Sequence, residues 1–187
     1  MEKNLVILNI FIKIEEGERM IVSEATQRAL TEIIGMCFKE NRYLDRMVSI
    51  IGVKFAYNTT ADLIHHGMAH YFPALADTIG EKCLERYNIP VYYEATPSGG
   101  QDYNSVKEAI DDLEDRMIDF QSAIMGVCKI AQDNGDLHVY VDMLDVLEDF
   151  NEIVEQAILL GDKIAIYGDK PNFDQHIRNF WLLGNDD

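Results

Sequence analysis

Asp62, His66, His70, Asp77 and Glu81 follow one another by four, four, seven and four residues. At about 100° per residue on a helix they fall within an arc of roughly 100° and share one face. Two imidazoles and three carboxylates form a mixed nitrogen and oxygen donor set suited to iron, zinc or manganese, and carboxylates would keep a ferric product bound. Ile64, Met68, Tyr71, Phe72, Leu75, Ile79 and Cys83 lie on nearly the opposite side, toward a core. A metal on the polar face would therefore open outward and need ligands from another subunit. The same arc is also what any amphipathic surface helix presents, and a His-x-x-x-His pair is commonly just solvated. Both readings stand at this level.

A second reading places polar groups inside. His65 falls toward the apolar side near Phe72 and Cys83, where one partner would satisfy a neutral imidazole. Asn41 and Asn151 land on the core faces of the first and fourth helices, and Glu114, Glu148 and Glu155 flank the core seams. With His65 these could build an internal hydrolase or oxygenase site, because buried charge is costly unless paired or metal-bound. Yet no glutamate lies three residues before any histidine, so the Glu-x-x-His pairs of an intra-bundle di-iron centre are absent. Nucleophile triads and CxxC zinc patterns are lacking too, and Gly99-Gly100 opens no strand-to-helix phosphate loop.

The elements that must carry these residues read as long helices. Ser23 is a candidate N-cap, followed by Leu30, Ile33, Cys37, Leu44, Val48, Ile51 and Phe55 at helical spacing, to about Tyr57. A second helix spans about residues 60–88, with Pro73 expected to kink it. Periodicity vanishes between Asn88 and Tyr103. Ser105-Val-Lys-Glu108 is a capping box, and Val106, Ile110, Leu113, Met117, Phe120, Ile124 and Val127 continue the third helix without a miss. It stops at Asp133-Asn134-Gly135. A fourth helix runs from Asp136 to about Tyr167, with Gly168 as its C-terminal stop. A short amphipathic tail helix follows, carrying Phe173, Ile177, Phe180 and Trp181 on one side, expected to cap the bundle end or to reach a neighbouring subunit.

A short, a long and a short connection thus join four helices of about 40 Å each at 1.5 Å per residue. Some 15 extended residues reach about 50 Å, enough to cross a bundle end to end. One long crossover between the second and third helices is the ferritin-like arrangement. The domain expectation is an N-terminal extension at 1–22, the bundle at 23–168 and the tail at 169–187.

Composition limits the partners. With 187 residues, 48% of them apolar and 26% charged, the chain can bury one core, which excludes a disordered polymer. Thirty-three acids against 16 bases give a net charge of −17, which repels nucleic acid and anionic membranes and favours cations or other proteins. Cys37, Cys83 and Cys128 form no CxxC pair and are too few for a disulfide framework, so a reducing cytoplasm is expected. The longest apolar run, Asn4 to Ile14, is about half of what a membrane span needs, and Lys13, Glu15 and Glu16 suit no signal-peptide cleavage site. Glu15-Glu16-Gly17-Glu18-Arg19 precedes Met20. Those purine-rich codons fit a translated ribosome-binding site with translation starting at Met20, or the segment is a short strand or tail.

The chain resembles the ferritin-like superfamily, and within it the Dps-type miniferritins. The resemblance covers residues 24 to 165 in topology and is closest at Ala76-Asp77-Thr78-Ile79-Gly80-Glu81-Lys82, whose Asp-x-x-x-Glu matches a pair the family places in a ferroxidase site shared across a two-fold interface. Fifteen and eleven residues upstream of Asp77 the family has His and Asp; Asp62 and His66 are the same types exchanged. Ala56-Tyr57-Asn58 stands where the family's first helix ends in His-Trp-Asn, without the histidine, and His70 is available to substitute. No Lys-rich arm of the kind used on DNA is present. The resemblance implies an all-α bundle binding iron at Asp62, His66, His70, Asp77 and Glu81 between subunits of a homo-oligomeric cage, with Fe(II) oxidation, iron storage and peroxide protection. The alternative is a metal-free acidic bundle of the same fold acting as a structural or interaction module.

Overall fold

The computed structural model describes residues 21–93, 95 and 99–184; the expectations for residues 1–20 lie outside them. Ser23 starts the first helix as its type demands. Held extended, it accepts the Thr26 N–H on Oγ at 3.3 Å, satisfying one of the orphan donors of a helix start. Its own hydroxyl donates to Asp136 Oδ2 at 2.7 Å, which ties this cap to the head of the fourth helix. α1 runs Glu24–Ser49 and continues as a wider π-helical turn, Ile50–Lys54.

The second helix is interrupted, and Pro73 supplies the reason. It divides into α2 (Asn58–Ile64), a π-helical turn (His65–Ala69) and α3 (Tyr71–Cys83). A proline at 73 has no N–H for the Ala69 carbonyl four residues back, and its ring crowds that oxygen. Asn41 of α1 provides the missing donor, Nδ2 to the Ala69 oxygen at 3.0 Å. The His70 N–H meanwhile bonds the His65 carbonyl five residues back at 3.1 Å, the π pattern. Asn41 is thus a backbone partner rather than part of an internal polar site. Truncating Asn41 to Ala is expected to cost about 1–3 kcal/mol, the penalty of an orphaned acceptor. In a Pro73→Ala background the cost should shrink, because the substitution restores a backbone N–H at that position; urea unfolding of the two singles and the double measures the coupling.

α4 (Val106–Asp133) begins at the expected capping box. Ser105 Oγ accepts the Glu108 N–H at 3.0 Å, while the Glu108 carboxylate takes the Asn104 N–H at 2.8 Å. Asn134-Gly135 ends it, with Gly135 at φ +79°, and α5 (Leu137–Tyr167) returns antiparallel. α4 packs along α5, and α1 lies against α3 and α4. At the centre the rings of Phe72, Phe120 and Phe150 sit 5.0 to 6.1 Å apart, within the range where edge-to-face and tilted pairs attract.

The long connection crosses the outside of α1. Tyr93 meets Phe38 edge-on at 5.7 Å, Gln101 donates to the Tyr43 carbonyl at 2.7 Å, and Lys54 pairs with Asp102 at 3.0 Å. The tail, α6 (Pro171–His176) and a 3-10 turn (Ile177–Phe180), buries Phe173 and Ile177 against the bundle end. Asp174 Oδ1 accepts the Thr60 N–H at 2.7 Å and its hydroxyl at 2.8 Å, so the tail caps the start of α2. Among the described residues no helix is long and apolar enough to cross a membrane.

Candidate functional site

The break in the second helix decides how the candidate ligands sit. All five, Asp62, His66, His70, Asp77 and Glu81, are exposed. His66 Nε2 lies 3.4 Å from Asp62 Oδ1. In the π turn a residue stacks on its fifth neighbour instead of its fourth, and this brings His65 beside His70, ring centroids 4.4 Å apart. His66 stands 4.9 Å from His65 and 5.4 Å from His70.

The expected placement of His65 is therefore corrected. It does not point at Phe72 and Cys83; its side chain is 37% exposed, with Nε2 3.6 Å from Asp45 Oδ1 of α1. A uniform 100° per residue fails across His65–Ala69, where the wider π turn with its i to i+5 hydrogen bond brings His65 beside His70. Asp45 carried no signal in the sequence, since its partner comes from another helix. The outer face thus gathers three imidazoles and the carboxylates of Asp62 and Asp45, with Arg178 Nη2 at the rim, 3.8 Å from Asp62 Oδ2. Asp77 and Glu81 lie about 10 and about 17 Å farther along the helix axis from His70 at 1.5 Å per residue. Among the described residues, no three His, Cys, Asp or Glu side chains converge on a point that would hold a metal ion.

The internal reading has no centre. Glu148, Asn151 and Glu155 are exposed, and Asn151 accepts from Gln121 at 2.7 Å. Glu114 lies against Gly161, where a Cβ would come within 2.0 Å of its Oε2. Partial burial, then Asp162, Asp115 and Asp111, push its carboxyl above the usual range. Where the internal site would have formed, the three phenylalanine rings fill the space. The thiols offer no thiolate either: all three cysteines are buried, and burial pushes Cys83 up to about 12.

One charged network does penetrate the bundle, and its members were not among the sequence candidates. Arg116 Nη1 meets Glu40 Oε2 at 2.6 Å and its Nε meets Asp112 Oδ2 at 3.4 Å. Glu40 is only 5% exposed, and the guanidinium lies 3.3 Å over the Tyr43 ring. Burial, the largest influence, would lower the Arg116 pKa, but Glu40 with Asp112 and Tyr43 together outweigh it and hold the guanidinium above its ordinary value. The Tyr103 hydroxyl donates to Asp112, so the end of the crossover joins the same network.

Comparison with known proteins agrees with this architecture. No family model matches the chain, and no curated protein matches it in sequence. Among solved structures the chain is similar to an open pore ferritin from the hyperthermophilic archaeon Archaeoglobus fulgidus, with a TM-score of 0.78 over 86% of this chain and 98% of that one, at 13% identity. A humanized archaeal ferritin matches with the same TM-score, coverage and identity. Identity that low speaks for architecture alone. Four long helical rods, one long crossover and these neighbours together make the fold a ferritin-like helical bundle.

Proposed function

We propose that the protein takes Fe(II) as substrate on its histidine and carboxylate face, oxidises it, and retains the ferric product. The single observation behind this reading is the outward cluster of His65, His66 and His70 beside Asp62 and Asp45 on a bundle of ferritin-like fold. Imidazole and carboxylate suit Fe(II), and carboxylate suits the harder Fe(III). Asp62, His66, His70, Asp77 and Glu81 are the ligands of the proposal. They are spread along one face, so a second copy of the chain supplies the remainder of each coordination shell, in the manner the miniferritin resemblance implies. A homo-oligomeric cage in a reducing cytoplasm, holding mineral and consuming peroxide, completes the reading. Two Fe(II) ions give one electron each to one peroxide; its O–O bond breaks, and with two protons it leaves as two waters. The net charge of −17 draws cations inward and leaves nucleic acid out of the partner set.

Anaerobic Fe(II) titration of the full chain, followed by peroxide, tests this. The wild type is expected to bind Fe(II) saturably and develop ferric absorbance, and His66→Ala with Asp77→Ala should abolish both. Absence of Fe(II) binding above background in the wild type ends the iron reading, and equal binding in the double variant moves the site off this face. One observation favours a second reading, a metal-free acidic structural or interaction module: aromatic rings fill the bundle centre. Under it, the double variant keeps its oligomeric state and melting temperature with or without Fe(II), and native mass spectrometry finds no iron in the assembly.

A further inference from the structure

Beside the histidine cluster a cavity of about 570 Å³ opens between the second helix, α5 and the tail. Its size lies within the roughly 300–1,000 Å³ typical of pockets for small organic ligands. Leu63, Tyr71, Ile153 and Trp181 form an apolar and aromatic wall. Gly67 makes that wall possible: a Cβ there would lie 2.6 Å from a ring carbon of Trp181, so only a residue without a side chain lets the indole seat against the helix.

The rim is acidic. Asp149 and Glu152, one turn apart on α5, line it together with Asp62. Both are exposed, and neither has a hydrogen bond or ion pair among the described residues, whereas Asp62 already faces His66 and Arg178. Burial first, then Asp149, keep the Tyr71 phenol above its ordinary range, so it meets a ligand as a neutral hydroxyl. A chain of net charge −17 favours a cation here, and faces of Trp and Tyr attract cations as well.

The carboxylates belong to two different helices around an apolar wall, and that spread decides their complement. It is an extended molecule with positive charge at separated places and an apolar body between them. We infer that the cavity binds a linear aliphatic polyamine, its methylene chain against Trp181, Tyr71 and Ile153 and its ammonium groups at Asp149, Glu152 and Asp62. The cavity lining shares Asp62 and His66 with the iron reading, whereas Asp149 and Glu152 belong to no part of it, so variants at those two test the polyamine separately.

Trp181 is the only tryptophan in the chain, so intrinsic fluorescence reports from the cavity wall. Titrating the full chain with spermidine at constant ionic strength is expected to give a saturable change, with a half-point about tenfold or more below those of n-butylamine and Mg²⁺. Equilibrium dialysis should find one spermidine per chain. Asp149→Asn with Glu152→Gln should raise the half-point about tenfold or more with helical circular dichroism and Fe(II) uptake unchanged. Gly67→Ala should shift the emission of the free protein and weaken spermidine. Asp77→Ala with Glu81→Ala, outside the cavity, should leave spermidine binding intact while lowering Fe(II) binding if the iron reading holds. The inference is overturned if dialysis finds no spermidine bound, if Mg²⁺ gives the same response at equal ionic strength, or if the Asp149 and Glu152 variant binds like the wild type.

Discussion

Arg116→Met is expected to destabilise the protein by about 3–5 kcal/mol, the cost of leaving a buried charge without its partner. Glu40 is nearly inaccessible and has the Arg116 guanidinium at 2.6 Å. Methionine fills similar volume, so the loss measures charge pairing rather than an empty space. The contrast lies in the double variant. With Glu40→Leu added, no charge is stranded at either position, and replacing a buried pair by apolar residues is often neutral or stabilising. Urea unfolding should therefore show a large loss in the single and recovery of most of it in the double. If the single costs under about 1 kcal/mol, within the range of exposed pairs, Glu40 is reached by water in solution and the network is a surface feature.

Phe150→Ala should cost about 3–5 kcal/mol, the transfer of a large ring plus the cavity it leaves. Phe150 is fully buried and touches Tyr71, Phe72 and Phe120, so three neighbouring rings lose contacts. Phe150→Leu, which keeps most of the apolar volume, should cost much less. Thermal unfolding monitored by circular dichroism checks both. An equal cost for the two variants would mean that ring geometry, rather than filled volume, stabilises this layer.

The helical ends were readable because a cap is a local device. Ser23 and Ser105 announce helix starts by residue type and spacing, and Gly135 announces an end; all three act where expected. The crossover was readable because fifteen aperiodic residues between long helices leave few ways to connect them. The break at Pro73 was readable as well, but its form was not. The chain widens into a π turn there, with Asn41 reaching the Ala69 carbonyl from another helix, and that single turn moved His65 from the core side to the outer face. Asp45 and the Glu40–Arg116 pair lay beyond local reasoning for the same cause. Glu40 and Arg116 are 76 positions apart, and nothing in the spacing of either helix reveals which polar residues will face each other across the seam.

Because Asp174 supplies the acceptor for the first turn of α2, the last segment of the chain behaves as a clasp on the helix that bears the histidines. Without it the Thr60 amide, an orphan donor of the first helical turn, would have only solvent as partner. The end that closes the bundle thus also secures the start of the helix from which Asp62 and the histidines project.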